Sequence, residues 1–314
     1  KHPSQFNQTG GFDRGFQLFD DECIWKDARC INDRAMAALA RHRTGEPVFF
    51  LLHYIDPHGP YQAPGRKRFA RRGAREELEP EVCAGESHAA AARLDRGEPA
   101  GVDAGDIAHW VDLYDDEIAF VDARIGELVA AFESAAPSRG TLVAIAADHG
   151  ESFLEHGSLA HCRSLYDTEI RTPWILAGPG IPQGVVRSAL SENLDIVPTL
   201  LDIAGVAVRP GAFAGRSLRG AVETGEDGAA RLQTSAFAGW RAAFDGRHKL
   251  MVNETAEELR LFDLAQDPGE TVDLAPTERR KAAALRRALD EQSPTPEAAL
   301  EAARRTLAVS EEQL

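Results

Sequence analysis

The sequence predicts an α/β fold in which helices sandwich a mostly parallel β-sheet. Two continuous apolar runs, at residues 47–55 and 141–147, are typical of strands that are buried on both faces. Between them, apolar residues recur at steps of three and four from Ile107 to Phe132, which is the spacing of an amphipathic helix. Strands that alternate with helices in this way indicate the βα units of a parallel sheet.

Shorter elements follow in the same alternating order. Residues 33–43 have helical composition, and Asp106 is placed to cap the long helix at its N-terminus. A short apolar strand is predicted at 174–177, and a helix capped by Asp195 is predicted to continue to Ala204. These elements extend the predicted α/β domain to about residue 228.

The last third of the chain predicts a small antiparallel meander followed by a helix. Four short apolar segments are separated by glycine, aspartate and asparagine, at residues 234–237, 241–244, 248–252 and 259–262. A helix rich in Ala, Arg, Glu and Leu is predicted from Glu278 onward. We therefore divide the chain into an α/β domain over 1–228 and a smaller subdomain over 229–314.

Composition and charge exclude several classes of function. The chain of 314 residues is 43% hydrophobic and 27% charged, which is ordinary for a globular protein. Its 50 acidic and 35 basic residues give a net charge of −15, so we expect no nucleic-acid partner, since phosphate contacts need a basic surface. We expect no transmembrane segment because no apolar run is long enough to cross a bilayer. These properties do not indicate an oligomeric state.

Two further features each have two interpretations. Cys23 and Cys30 are near enough in sequence to form a disulfide, but their spacing alone does not establish the pairing. Six of the ten residues 66–75 are Lys or Arg, within a predicted surface excursion over 65–105. This basic run is either part of a solvated insertion or a basic lip over an anionic substrate.

The residues with the clearest chemical potential lie after predicted strands. Asp148 and His149 follow the strand at 141–147, at the carboxyl end where ligands collect in open α/β sheets. Their oxygen and nitrogen atoms suit one cation, although a helix-capping role for Asp148 explains the pair equally well. His58 follows the other strand, and His161 lies close behind the Asp–His pair in sequence. Each histidine is a candidate general acid or anion contact, or a structural residue.

Seven segments taken together resemble the sulfatase family of the alkaline-phosphatase-like superfamily. They are residues 11–16, 49–61, 114–128, 141–173, 178–184, 195–205 and 261–274. The segments occur in the family's order and cover most of the chain, and 141–173 is the most specific of them. The resemblance implies an alkaline-phosphatase-like fold and the hydrolysis of sulfate esters of small molecules or carbohydrates.

The resemblance also implies a mechanism and residue roles. Sulfatases use a formylglycine, made from cysteine or serine, beside one divalent cation that is usually Ca²⁺, with Mg²⁺ and Mn²⁺ as alternatives. By the match, Asp148 and His149 are two ligands of that cation. His58 resembles the histidine that contacts the sulfate ester or protonates the leaving group. His161 lies where many members carry a sulfate-binding lysine and others carry histidine.

One part of the family's pattern does not occur in this sequence. The family's nucleophile lies in a Cys/Ser-x-Pro-x-Arg motif, and none of the four cysteines is followed by proline and arginine at those positions. The paired aspartates that supply the other metal ligands are not found after an apolar strand before residue 20. We therefore expect the nucleophile and those ligands upstream of Lys1, and we expect this chain alone to be inactive. Periplasmic, extracellular and cytoplasmic locations all stay open.

Two other functions are compatible with the same residues. A phosphodiesterase or phosphonate monoester hydrolase of the superfamily would share the metal and the histidines. A noncatalytic remnant, acting as a binding or regulatory module, would need neither. The sequence does not name the sulfated substrate, the metal ion or the preference between sulfate and phosphate esters.

Overall fold

The computed structural model describes residues 11–24, 26–42, 46–59, 61–65, 68–69, 93–94, 96–99, 101–135, 140–226, 231–237 and 239–293. They divide into two compact units. The first unit comprises the described residues of 1–143 and 157–160, and the second comprises those of 144–156 and 161–314. The predicted domain boundary at residue 228 stays a prediction.

Two helices dominate the first unit. They are α1 (Ala28–Arg41) and α2 (Ala104–Ala135). The side chain of Asp27 caps α1 by accepting a hydrogen bond from the Arg29 backbone N–H at 2.9 Å. The buried Asn32 links the two helices, because its side-chain amide donates to the Arg124 carbonyl at 2.7 Å. Asn32 Oδ1 also accepts from the Tyr54 hydroxyl at 2.8 Å, which ties residues 46–59 to the helix pair.

The long helix predicted from the apolar spacing is confirmed, with one correction at its start. Of the apolar residues at this spacing, Trp110 and Leu128 are buried but Ile118 is 41% exposed, and Leu113, which lies off the spacing, is also buried. The cap is Asp103 rather than Asp106: Asp103 Oδ1 accepts from the Asp106 N–H and Asp106 Oδ2 accepts from the Asp103 N–H, both at 3.0 Å. This reciprocal pair is a capping box, in which Asp106 occupies the third helical position. Among the described residues, no helix is long and apolar enough to cross a membrane.

The strand predicted at 47–55 is wrong for the described residues. This segment is not paired in a sheet with any part of the chain that the structure describes. Phe50 packs edge-on against Phe132 with ring centroids 4.8 Å apart, whereas Phe49 and Leu51 are 69% and 65% exposed. Alternate side chains therefore point to opposite sides and one side is exposed. A run of apolar residues does not distinguish one covered face from two.

Short strands and helices follow in chain order. They are β1 (Val143–Ala146), β2 (Ser152–Phe153), β3 (Leu159–Ala160), α3 (Asp167–Ile170), β4 (Trp174–Ala177), a 3₁₀ turn (Asn193–Asp195), α4 (Ile196–Ile203) and α5 (Arg219–Thr224). β1 and β4 are hydrogen-bonded neighbours. The predicted strands at 141–147 and 174–177 thus exist. Both alternate between partly buried and exposed residues, so the burial on both faces predicted for 141–147 is wrong for the described residues. Asp195 does not cap α4 with its side chain; it completes a capping box with Glu192 one turn earlier.

The predicted antiparallel meander and the helix after it are confirmed in the second unit. Its strands are β5 (Gln233–Phe237), β6 (Trp240–Phe244), β7 (His248–Asn253) and β8 (Glu258–Asp263), paired in that order, followed by α6 (Arg279–Gln292). Because side chains alternate along β7, Leu250 joins a core with Leu285 and Leu289 of α6. Met251 faces the other way and packs in a cluster with Tyr166. The sheet therefore supports, on this second face, the segment just before α3.

Candidate functional site

Asp148 and His149 lie directly beyond the end of β1. His149 Nδ1 is 2.8 Å from the Gly150 carbonyl oxygen. Because a carbonyl only accepts, Nδ1 carries the hydrogen in the neutral ring and Nε2 presents a lone pair. Nε2 lies 3.8 Å from Asp148 Oδ2, and the Asp148 side chain is 77% exposed. One carboxylate oxygen and one imidazole nitrogen thus face each other with solvent access.

Gly150 holds the backbone next to Asp148 and His149 close to the backbone of Thr168 and Glu169. Its N–H donates to the Glu169 carbonyl at 2.7 Å. A Cβ atom at this position would lie 2.2 Å from the Thr168 carbonyl oxygen, a distance that no side chain tolerates. The close backbone approach therefore requires glycine here, and it sets where the preceding Asp148 and His149 lie.

His161 stacks on His149 and pairs with a buried carboxylate. The two imidazole centroids are 4.2 Å apart at an interplanar angle of 26°. His161 Nδ1 is 3.1 Å from Glu151 Oε1, and the Glu151 side chain is only 6% exposed. This hydrogen bond to Glu151 raises the pKa of His161, against the opposing effect of burial. The stack therefore has one ring that favours positive charge beside one that offers a lone pair.

Glu169 organises the segment that carries His161, and the sequence did not single it out. Its buried carboxylate accepts from the Arg163 N–H at 2.9 Å, the Ser164 hydroxyl at 2.8 Å and the Ser152 hydroxyl at 3.2 Å. A buried carboxylate with several donors anchors backbone that lacks regular structure. The donors lie on both sides of His161 in sequence, so no local pattern could identify the anchor.

Asn193 is a second residue that sequence reasoning missed. Its side-chain amide donates to the Ala147 carbonyl at 3.1 Å, immediately before Asp148. The 3₁₀ turn that carries Asn193 is held by Arg231, whose Nη1 lies 2.7 Å from Oδ1 of the fully buried Asp195. This buried ion pair therefore supports the contact that holds the end of β1.

A sequence model of the sulfatase family matches residues 6–206. The chain belongs to the sulfatase family. A second model, described as the C-terminal part of N-sulphoglucosamine sulphohydrolase, matches residues 155–294. Both models include the segment with Asp148 to His161 wholly or in part.

Relatives with curated descriptions are also sulfatases. The chain is 30% identical over 181 residues to a delta 4,5-hexuronate-2-O-sulfatase of Bacteroides thetaiotaomicron, covering 53% of this chain and 37% of that protein. It is 27% identical over 283 residues to a choline-sulfatase of Rhizobium meliloti, covering 83% of this chain and 52% of that protein. The chain thus spans about a third to a half of these relatives' lengths.

The fold is shared with a solved hydrolase of another specificity. A phosphonate monoester hydrolase from Silicibacter pomeroyi superimposes with a TM-score of 0.65 at 25% identity, over 85% of this chain and 59% of the hydrolase chain. The comparison supports an alkaline-phosphatase-like fold for this sulfatase. It also shows that the fold is not restricted to sulfate esters.

The predicted site residues of this sulfatase fall into two groups. Asp148, His149 and His161 lie together in the second unit. His58 belongs to the first unit, where its N–H donates to the Ile55 carbonyl at 2.8 Å and its Nδ1 lies 2.6 Å from the Gly59 carbonyl oxygen. A pocket shared by His58 and the other three stays a prediction.

The donor set suits a cation only in part. Among the described residues, no group of three or more His, Cys, Asp or Glu side chains could hold a metal ion. Asp148 and His149 supply one oxygen and one nitrogen, whereas Ca²⁺ takes six to eight oxygen ligands. The exposed Asp148 carboxylate and the lone pair of His149 Nε2 fit a metal site that is completed by other ligands.

The disulfide left open by the sequence is present, and the basic run is mostly outside the described residues. Cys23 and Cys30 are joined, with their Cα atoms 5.7 Å apart. Of residues 66–75, only Arg68 and Phe69 are described; their backbone N–H groups donate to Asp116 Oδ1 at 2.6 and 2.8 Å. The role of the run as a lip over the substrate stays a prediction.

Proposed function

We propose that this sulfatase hydrolyses sulfate esters at a divalent-cation site to which Asp148 and His149 contribute ligands. The grouping of Asp148, His149 and His161 beyond β1, in a chain of this family, carries the proposal. A bound Ca²⁺ ion, with Mg²⁺ and Mn²⁺ as alternatives, would offset negative charge on the sulfuryl group. We also propose that β1 and β4 belong to the mostly parallel sheet of the family's fold.

The two histidines have different proposed roles. His161, which Glu151 biases toward the charged form, contacts the sulfate oxygens. His58 contacts the ester or protonates the alcohol that leaves. Neither role supplies the nucleophile, which we propose to be a formylglycine from a Cys/Ser-x-Pro-x-Arg motif that these 314 residues do not contain. We therefore expect no turnover of aryl sulfates by this chain alone.

The proposed substrate is a sulfate ester of a carbohydrate or another small alcohol. Similarity to a hexuronate-2-O-sulfatase supports a sulfated sugar, and similarity to a choline-sulfatase supports a small sulfated alcohol. The second candidate function is phosphonate monoester hydrolysis, which the structural likeness to the hydrolase of that specificity favours. The same cation and histidines would serve both esters.

Calorimetric titration with Ca²⁺, Mg²⁺ and Mn²⁺, made on a longer chain that includes the upstream metal ligands, tests the ligand assignment without any need for turnover. Asp148→Ala should weaken binding of the preferred cation by at least about tenfold, a minimum taken from the effect of weaker, outer-shell changes. The matched control is Asp33→Ala, which removes an exposed carboxylate of α1 and should leave the affinity unchanged. Equal affinities in the two variants would contradict the assignment of Asp148.

Turnover tests the reaction. Metal-dependent hydrolysis of an aryl sulfate by the 314-residue chain, lost in Asp148→Ala, would show that the nucleophile lies within this chain and that our expectation is wrong. In a longer chain that includes the nucleophile motif, comparing an aryl sulfate with an aryl phosphonate ester separates the two candidate functions. A clear preference for the phosphonate ester would overturn the sulfate assignment.

A further inference from the structure

Two carboxyl groups of the first unit contact each other away from the site described above. Glu117 lies in the middle of α2 and is 3% exposed. Asp56 lies two residues before His58, and its side chain is within hydrogen-bonding distance of the Glu117 carboxyl. Within the described part of the chain, Asp56 Oδ2 and Glu117 Oε2 are buried and have no hydrogen-bond partner.

Backbone N–H groups near the pair donate to its other carboxyl oxygens, and one nearby aspartate adds a negative charge. From the start of α1, the Ala28 N–H donates to Asp56, and the Asp27 carboxylate acts on both members of the pair. From the segment after His58, the Gln62 N–H donates to Glu117 Oε1. Asp27 is itself paired with Arg29 at 2.7 Å.

Asp116, the neighbour of Glu117 on α2, is another acidic residue near the pair. The buried Asp116 is engaged with the N–H groups of Arg68 and Phe69. It therefore adds a further carboxyl on the same helix. The donors found at the pair are backbone N–H groups, and among the described residues they leave the buried oxygens Asp56 Oδ2 and Glu117 Oε2 without a donor.

Two ionised carboxylates cannot satisfy each other, because both only accept hydrogen bonds. A proton between them turns the contact into a hydrogen bond and removes one buried charge. Burial, reinforced by the charge of Asp56, raises the pKa of Glu117 to about 8, and burial also raises the pKa of Asp56. The pair therefore retains one proton at neutral pH and loses it as the pH rises through the pKa of Glu117.

We infer that Glu117 and Asp56 are positioning residues that hold the His58 turn, residues 56–59, by sharing one proton. Glu117 binds chain on both sides of His58: the Asp56 side chain before it and the Gln62 N–H after it. A single residue of a long helix thus fixes a turn that belongs to no sheet in the described part of the chain. The inference rests on the proposed function in one respect, since only that function gives His58 a chemical role.

Amide hydrogen exchange at Gln62 tests the shared proton. In the unmodified chain, protection of this amide should fall by up to about a hundredfold relative to Glu117→Gln between about pH 6 and pH 9, since each pH unit between the ordinary pKa of a glutamate and the raised pKa of Glu117 weakens the closed state about tenfold. Glu117→Gln should keep its protection throughout, because an amide can donate to Asp56 and still accept from Gln62. The control Glu133→Gln, an exposed glutamate of the same helix, should behave like the unmodified chain.

The ring signals of His58 in NMR spectra test the positioning role. They should show a step near pH 8 in the unmodified chain that is absent in Glu117→Gln, whereas a carboxyl pair with a purely structural role would leave them unchanged. If Glu117→Gln does not fold, Asp56→Asn serves the same purpose, because it also supplies the missing donor. An His58 signal without the step would overturn the positioning role.

Two exchange results would overturn the shared proton. One is Gln62 protection in the unmodified chain that does not change relative to Glu117→Gln across this pH range. The other is weaker protection in Glu117→Gln than in the unmodified chain at about pH 6, which would show two ionised carboxylates neutralised by a cation. Neither measurement depends on ester hydrolysis or on metal binding, so a failure of the proposed function would leave both interpretable.

Discussion

Replacing Lys249 with methionine tests the buried ion cluster that links the meander to the segment before the candidate site. Lys249 lies on β7 and is 1% exposed. Its Nζ is 2.7 Å from Asp167 Oδ1 and 2.7 Å from Glu270 Oε1. Glu270 Oε2 in turn accepts from the Asp167 N–H at 2.6 Å. The cluster therefore fixes the first residue of α3, the helix that also carries Glu169.

The expected loss follows from the charge that would be left unpaired. Methionine fills most of the volume of the lysine stem, so the main effect is electrostatic. The Glu270 side chain is 1% exposed and loses its cation, whereas the Asp167 side chain is 23% exposed and is better hydrated. Removing one partner of a buried ion pair destabilises a protein by about 3–5 kcal/mol. That is a large part of a typical unfolding free energy of about 5–15 kcal/mol.

Urea unfolding, followed by tryptophan fluorescence and far-UV circular dichroism, measures this change. The double variant Lys249→Met/Glu270→Gln should recover most of the loss, because the most buried unpaired charge is then absent. Lys281→Met is the control: that side chain is 39% exposed and lies 3.3 Å from Asp245, so the expected effect is below about 1 kcal/mol. A Lys249→Met variant as stable as this control would refute the reasoning, as would a double variant no better than the single one.

The pH dependence of the same variant has a definite sign. Burial raises the pKa of Glu270 even with Lys249 present. A carboxyl whose pKa is higher in the folded than in the unfolded state favours folding at low pH, and this contribution is lost as the pH rises through the folded-state pKa. Removing Lys249 raises that pKa further. The loss in Lys249→Met should therefore be smaller in acid than at neutral pH.

Three further substitutions address the site and the exposed segment. Gly150→Ala should lower thermal stability and, in a longer chain that includes the upstream ligands, calorimetric Ca²⁺ affinity, since its Cβ would meet backbone at 2.2 Å. Gly126→Ala on α2 has open space and should not destabilise the chain. Glu151→Gln should lower the pKa of His161 in an NMR titration, because the Glu151 carboxylate favours the protonated ring. The variant should therefore lose more unfolding free energy at a pH below the pKa of His161 than at a pH above it. Phe49→Lys should reduce aggregation in light-scattering measurements with only a small loss of stability, because this ring is 69% exposed and stacks on Phe16 with ring centroids 6.0 Å apart.

Each of these expectations has a contradicting result. Unchanged Ca²⁺ affinity in a stable Gly150→Ala variant would show that the close backbone contact at Gly150 does not position Asp148 and His149 for the cation. An unchanged titration of His161 in Glu151→Gln would show that the carboxylate does not act on this ring. Equal aggregation of Phe49→Lys and the unmodified chain would place the association surface elsewhere, and Phe50→Lys, which disturbs packing on Phe132, should instead destabilise.

What the sequence predicted well depends on local periodicity. The predicted bounds of the meander strands agree with the structure to within one residue, and those of the long helix to within three, because hydrophobic spacing reports the period of each element directly. The cap of α2 was misplaced by one turn because Asp103 and Asp106 are both suitable cap residues. Burial of 47–55 was mispredicted because covering a second face depends on neighbours that a local pattern does not specify.

In the candidate site, too, residues close together in sequence could be predicted and those held by distant partners could not. Asp148, His149 and His161 could be selected because they lie within a short stretch after a predicted strand, and the structure brings them together. The residues that hold them could not be selected. Glu169 and Asn193 act through partners distant in sequence, and both are residue types found on any protein surface.

Glu117 and Glu169 are buried helical glutamates that bind the chain segments next to the candidate catalytic histidines His58 and His161. Substitution by glutamine should affect their stability in opposite ways. Both are 3% exposed. Within the described part of the chain, Glu169 accepts from two hydroxyls and two backbone N–H groups, so its segment depends on a carboxylate that accepts at both oxygens. In Glu169→Gln the amide N–H₂ would face these donors, and leaving buried donors unsatisfied costs about 1–3 kcal/mol. Glu117 faces another carboxyl, so Glu117→Gln supplies the missing donor and should stabilise the chain already at about pH 6 and more strongly at about pH 9, since the unmodified chain must take up a proton to fold at any pH above the ordinary pKa of a glutamate. Thermal unfolding of the two variants at both pH values measures the contrast. Two results would contradict this reasoning. One is a Glu169→Gln variant as stable as the unmodified chain, and the other is a Glu117→Gln variant less stable than the unmodified chain at alkaline pH.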